Sequence, residues 1–152
     1  MPSLMDRVRH FLDSDDWEYE REGDDQVFMQ FGGDHGQWPV MAHVQQDAGQ
    51  VLFYSLAPLT FPPALLPAVA EFVVRANYGL HIGSFDLDLE DGSVQFRTSV
   101  DVEQDEDALT PTVLKHLLYH NVITMDRYLP GLQALLEEGV TPTAAIAVVE
   151  AE

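Results

Sequence analysis

The chain contains no cysteine. That excludes disulfides, thiolate metal sites and cysteine nucleophiles at once. It is almost as poor in positive charge: one lysine, Lys115, and seven basic residues in all stand against 26 acidic ones, for a net charge of −19. A surface of that sign repels a phosphate backbone, so direct nucleic-acid binding is not expected. Anionic membranes are disfavoured on the same ground, whereas a basic protein partner is favoured. No apolar run is long enough to span a bilayer, and the N-terminus shows no basic-then-apolar leader. Together with the missing cysteines, these features lead us to expect a cytoplasmic protein.

What is present is enough for a folded core. Of the 152 residues 46% are hydrophobic and 10% aromatic, which places the chain among globular rather than disordered proteins. No Pro/Gly/Ser-rich linker divides it, so residues 1–152 are read as one domain.

Helical and extended periodicities alternate along the chain. Leu4, Val8, Phe11 and Leu12 make an apolar stripe over residues 3–12, with Ser3 and Asp6 spaced as a capping box. Trp17, Tyr19 and Arg21 then alternate with Glu18, Glu20 and Glu22 as a half-buried strand. Val27, Met29 and Phe31 form a second strand after the turn at Gly23-Asp24-Asp25. Trp38, Val40, Ala42 and Val44 form a third. Val51 to Leu56 form a fourth that is apolar on both faces, so either a helix or a second subunit must cover each side. The segment Pro58–Pro63 is expected to break the sheet. A second helix begins near Leu66, because Pro67 is tolerated only in a first turn, and ends near Gly79.

Phe85, Leu87 and Leu89 next alternate with Asp86, Asp88 and Glu90 up to Asp91-Gly92, a two-residue turn signal. Such a turn pairs Leu89 with Val94 and Leu87 with Phe96, and sets Asp86 opposite Arg97. Thr110 and Pro111 open a third helix by cap and first-turn proline. Its apolar face runs from Val113 to Leu129, and Pro130-Gly131 is expected to kink or interrupt it. Thr141-Pro142 starts a short last helix. The order α-β-β-β-β-α-β-β-α(-α) is that of an α+β protein, an antiparallel sheet packed against helices.

Residues capable of chemistry are plentiful but unassembled. His116 and His120 share a helix face at i, i+4, yet Leu117-Leu118-Tyr119 between them lacks the glutamate of a metalloprotease helix, and no third ligand is nearby. Asp86–Gly92 departs from a calcium loop, with glycine one position late and Arg97 where the bidentate glutamate belongs. There is no Gly-x-Ser-x-Gly elbow, no phosphate-binding Gly-x-x-x-x-Gly-Lys and no dinucleotide fingerprint. Gly32-Gly33-Asp34-His35-Gly36 is glycine-rich but joins two strands. The sequence therefore predicts no catalytic residues, no metal, no cofactor and no enzyme.

Several residues carry a family likeness in order and spacing. They are Trp17, the aromatic strand Val51 to Pro58, Arg75-Ala76-Asn77, Gly83, Phe85, Asp86, Asp91-Gly92, Val94 and Arg97, then Tyr128, Pro130 and Leu132, and finally Thr141-Pro142 with Ala145-Ile146. In these the chain resembles the YbjN family of bacterial sensory-transduction regulators over approximately residues 3–150. Leu65, Leu66 and Pro67 depart from that family's charged opening of the second helix. The resemblance implies a fold like the type III secretion chaperones, a tendency to dimerise, and binding of protein segments rather than catalysis.

The expectation is accordingly a chaperone-like adaptor or regulator, acting as a homodimer on a basic, nucleic-acid-associated protein. A small-ligand sensor with a pocket lined by Trp17, Trp38, Phe53 or Tyr54 is the alternative. The acidic run Asp101, Glu103, Asp105, Glu106 and Asp107 is the candidate partner-binding patch. Leu52, Tyr54 and Leu56 are the candidate dimer or groove surface. Arg75, Asn77, Gly83, Asp86 and Arg97 are motif residues with a structural reading: Asn77 suits a helix end, and Arg75 complements the C-terminal dipole.

Overall fold

Hydroxyl caps start three of the helices. The Ser3 hydroxyl accepts from the Asp6 amide while the Asp6 carboxylate accepts from the Ser3 amide, both at 3.0 Å, and this reciprocal box begins α1 (Leu4–Ser14). Thr110 caps α3 (Pro111–Glu137) and Thr141 caps α4 (Pro142–Val149), each by accepting from the amide three residues on, at 3.2 Å. Helix α2 (Leu66–Gly79) has no side-chain cap. A single 3₁₀ turn at Pro63–Leu65 feeds it, and Pro67 falls in its first turn, where an amide donor is not needed. The computed structural model describes residues 2–151.

The strands are β1 (Glu20–Glu22), β2 (Gln26–Gly32), β3 (Gln37–Gln45), β4 (Gln50–Thr60), β5 (Ser84–Leu87) and β6 (Ser93–Asp101). They form one antiparallel sheet in the order β1-β2-β3-β4-β6-β5. The element order is the one the periodicities predict. Alternate residues of the strands, among them Val27, Met29, Trp38, Val40, Val51, Phe53 and Phe96, are buried on one face. Against them lie Leu4, Val8 and Leu12 of α1 and Leu114, Leu118, Val122, Met125 and Leu129 of α3. Truncating a fully buried leucine such as Leu118 to alanine costs about 2–5 kcal/mol, the price of lost transfer energy plus a residual cavity.

One polar residue sits inside this layer. Asn121, on the buried face of α3, donates from Nδ2 to the carbonyls of Phe53 on β4 (2.8 Å) and Phe96 on β6 (3.0 Å). Thr98 Oγ1, 3.1 Å from the same nitrogen, donates in turn to the Leu117 carbonyl at 2.9 Å. The arrangement fixes α3 against the two central strands.

Four local expectations are corrected. Strand β1 is three residues long and exposed throughout, so Arg21 does not share a buried face with Trp17 and Tyr19. The sheet does not break at Pro58: β4 continues to Thr60 through a register irregularity between Leu56 and Thr60. In the β5–β6 hairpin Leu87 pairs with Val94 and Phe85 with Phe96, two residues away from the predicted register. The loop is wider because the Asp88 amide donates to the Ser93 carbonyl and the Gly92 amide to the Asp88 carbonyl, each at 2.9 Å. Leu89 is thereby left exposed in the loop. Finally, Pro130 does not interrupt α3. A proline removes the donor for the carbonyl four residues earlier, here that of Asp126, and the His35 Nδ1 supplies one at 3.0 Å.

Candidate functional site

The sheet has one covered face and one open one. Strand alternation sends Phe28, Met41, Tyr54 and Arg97 to the open side, and the register places them side by side across β2, β3, β4 and β6. Leu52 and Leu56 flank Tyr54 on the same face of β4, and all three stay half-buried, in contrast to the fully buried Val51, Phe53 and Ser55 between them. The expected dimer or groove residues Leu52, Tyr54 and Leu56 thus do share a surface. A strip of this kind has side-chain area to offer a partner.

Charge frames the strip. Arg97 forms a two-pronged ion pair with Asp86, Nε to Oδ2 at 3.0 Å and the second nitrogen to Oδ1 at 3.1 Å. The hydrogen bonds it donates to the Asp86 carboxylate raise the Arg97 guanidinium pKa, against an opposing desolvation. The register sets Asp86 opposite Gln95 and Arg97 opposite Ser84, so the pair closes diagonally rather than face to face. Its partial exposure makes it worth about 1 kcal/mol or less.

The acidic run lies at the other end of β6 and just beyond it. Asp101 accepts from the Glu103 amide at 3.0 Å and from Gln50 at 3.3 Å, and these bonds lower its pKa. Asp105 accepts from the Asp107 amide at 3.2 Å, Asp107 pairs with Arg7 of α1 at 2.6 Å, and Glu106 accepts from Gln46 at 3.3 Å. Asp101, Glu103, Asp105 and Asp107 are exposed and Glu106 is half-buried, and all but Glu103 also accept a bond that shapes the loop or ties it to its neighbours.

The motif residues gather around β5. Asn77, at the end of α2, uses its amide as a miniature strand: Nδ2 donates to the Phe85 carbonyl at 3.0 Å, and Oδ1 accepts from the Phe85 amide at 2.7 Å. Gly83 holds φ at +79°, and a Cβ there would stand 2.7 Å from the Arg97 carbonyl oxygen and the Phe96 ring. Arg75 pairs with Glu71 one helical turn back, at 2.7 Å. Sequence reasoning missed Asn121 and the His35–Asp126 contact. A polar residue in the middle of the apolar α3 stripe was the available signal for the first.

Other candidate sites do not assemble. Trp38 and Phe53 are core residues, Tyr54 is on the opposite side of the sheet, and Trp17 lines a surface groove, so the four share no cavity. The His116 and His120 rings are 6.4 Å apart on the exposed surface of α3. Among the described residues no group of three or more histidine, aspartate or glutamate side chains could hold a metal ion. Nor is any described helix long and apolar enough to cross a membrane.

Comparison with known proteins agrees with this architecture. No curated protein matches the chain in sequence. Among solved structures it is similar to YbjN from E. coli, with a TM-score of 0.61 and 14% identity, over 80% of this chain and 85% of that one. It is also similar to the ExsC–ExsE complex, with a TM-score of 0.58 and 13% identity, over 85% of this chain and 95% of that chain. The fold is therefore of the type III secretion chaperone kind that the resemblance implied. The profile of the family described as "Putative bacterial sensory transduction regulator" matches residues 5–134, and the chain belongs to this family, YbjN.

Proposed function

We propose that this chain is a non-enzymatic, protein-binding adaptor or regulator. It works as a homodimer and engages a basic protein partner in the cytoplasm. The observation that carries the reading is the uncovered sheet face: an apolar strip, Phe28, Met41 and Tyr54 with Leu52 and Leu56, on a protein of net charge −19. Exposed apolar strips bordered by charge are characteristic of interfaces. Family membership and the likeness to the ExsC–ExsE complex, a protein–protein assembly, support it. The homodimer buries Leu52, Tyr54 and Leu56, and the carboxylates left outside, those of residues 101–107 included, steer the basic partner.

The two associations respond oppositely to salt. Screening relieves repulsion between two acidic copies, so dimerisation strengthens as ionic strength rises, while capture of a basic partner weakens. Light scattering of the purified protein at low and moderate salt reads the first. Affinity capture from the native organism's lysate, followed by mass spectrometry, reads the second. A dominant basic partner lost at higher salt, with a dimer that Tyr54→Glu dissociates, is the expected result. A monomer at every salt, or no enriched protein at any, refutes the proposal.

A further inference from the structure

The two edges of the sheet are not equivalent. At the β5 edge, the Asp88–Ser93 bond sets the phase: the backbone groups of Ser84 and Asp86 face β6, and those of Phe85 between them face outward. Asn77 occupies both the N–H and the C=O of Phe85. That edge is closed to a further strand at its centre.

At the other edge, the Val44 amide donates to the Asp25 carbonyl at 2.8 Å, which sets the phase of the β2–β3 ladder. By alternation Val27, Met29 and Phe31 bond to β3, and the backbone groups of Gln26, Phe28, Gln30 and Gly32 face outward. Strand β1 pairs with β2 only as far as Phe28, opposite Glu20. Among the described residues nothing hydrogen-bonds to the outward N–H and C=O of Gln30 or Gly32, and both residues are exposed.

The chain preceding β1 has been drawn away from them. The Trp17 amide donates to the Leu12 carbonyl at 2.9 Å, its indole N–H to Asp15 at 2.9 Å, and the Tyr19 hydroxyl to Asp13 at 2.8 Å. These bonds tie the segment to the end of α1. Between it and the β2 edge runs an open groove of about 740 Å³, with Phe28 and Gln30 on one wall and the exposed carboxylates of Asp16, Glu18 and Glu20 on the other.

We infer that this groove receives an extended, basic segment of a partner protein, which adds as a strand beside β2 at Gln30 and Gly32. The inference rests on the protein-binding reading above and names its site. Two outward-facing residues offer four backbone hydrogen bonds, and alternate lysine or arginine side chains of the incoming strand meet Asp16, Glu18 and Glu20. A second copy of this chain is a poor occupant, because its own edge would bring the same carboxylates against them.

The test uses the full chain and two blocked peptides, one alternating lysine with valine and one alternating glutamate with valine. Amide NMR and hydrogen exchange locate any binding. The expected result is protection of the Gln30 and Gly32 amides by the lysine peptide and none by the glutamate peptide. Gln30→Pro removes an outward N–H that no internal bond uses, and should weaken the lysine peptide about tenfold, the loss of one edge hydrogen bond. A Glu18→Lys/Glu20→Lys variant, which leaves the backbone untouched, should weaken it at least as much. Absence of binding, or binding that maps to Tyr54 and Met41 instead, overturns the inference. A lysate partner that Gln30→Pro and the lysine variant bind unchanged overturns the edge site alone and leaves the adaptor reading standing.

Discussion

The imidazole of His35 donates to the backbone carbonyl of Asp126 at 3.0 Å, the acceptor that Pro130 leaves without a helical partner. The same loop donates its His35 amide to the Asp126 carboxylate at 2.9 Å. Gly33 is packed so closely on that carboxylate that a Cβ there would displace it. The glycine-rich loop between β2 and β3 is thus a clasp over the proline turn of α3. His35→Ala should cost about 1 kcal/mol, the usual net worth of one hydrogen bond. Pro130→Ala restores the helical donor, so in that background His35→Ala should cost measurably less. Urea denaturation of the four proteins closes the cycle, and strictly additive effects would contradict the clasp.

Asn77 makes a second separable prediction. Asn77→Ala leaves a β5 amide and carbonyl unpartnered and should destabilise by about 1–3 kcal/mol. Asn77→Asp keeps the acceptor for the Phe85 amide but turns a carboxylate oxygen toward its carbonyl. It should be no less damaging at neutral pH, as thermal melts would register.

Tyr128 predicts a pH dependence. It is 2% exposed and donates to Glu150 at 2.5 Å. Burial first, and that hydrogen bond second, push its pKa from the ordinary value of 10 up to about 12. Between those values the unfolded chain has released the proton and the folded one still holds it. Stability is therefore intact below pH 10 and falls as pH rises to 12, by up to about 2–3 kcal/mol. Tyr128→Phe lacks this loss. It should be less stable than the parent at pH 8 by about 1 kcal/mol, and the gap should shrink or reverse by pH 12 in parallel denaturation curves.

Gly83 tests the hairpin. An alanine there would need positive φ and would press on the Arg97 carbonyl and the Phe96 ring. Gly83→Ala should destabilise by about 2 kcal/mol or more, with loss of the Phe85–Phe96 edge-to-face contact at 4.7 Å visible in the aromatic NMR shifts.

What the sequence revealed and concealed divides by range. Caps at Ser3, Thr110 and Thr141 are local chemistry, and each was legible. The alternation of β2, β3 and β4 was legible too, as was the two-sided character of Leu52 to Leu56, because a half-open sheet writes itself into a period of two. The β5–β6 register was misread because Asp91-Gly92 is a strong local turn signal, and the bonds of Asp88 to Ser93 and Gly92 outweighed it. That α3 runs on through Pro130 without interruption was hidden for a related reason: the donor the proline lacks is supplied by His35, 95 positions earlier in the sequence. For the candidate site, the strip residues could be named, but the free edge at Gln30 and Gly32 depends on where β1 departs, which the bonds of Trp17 and Tyr19 decide.

Asn121 has a dynamic consequence. Its one amide joins the backbones of β4 and β6, distant in sequence, to the middle of α3. Neither strand can exchange its central amides by fraying alone, because freeing either also releases the helix. In native-state hydrogen exchange the amides of the bonded stretches around Phe53 and Phe96 should open together with those around Asn121, at the global unfolding free energy. Whatever docks on the open face would meet a plate that behaves as a single stiff body.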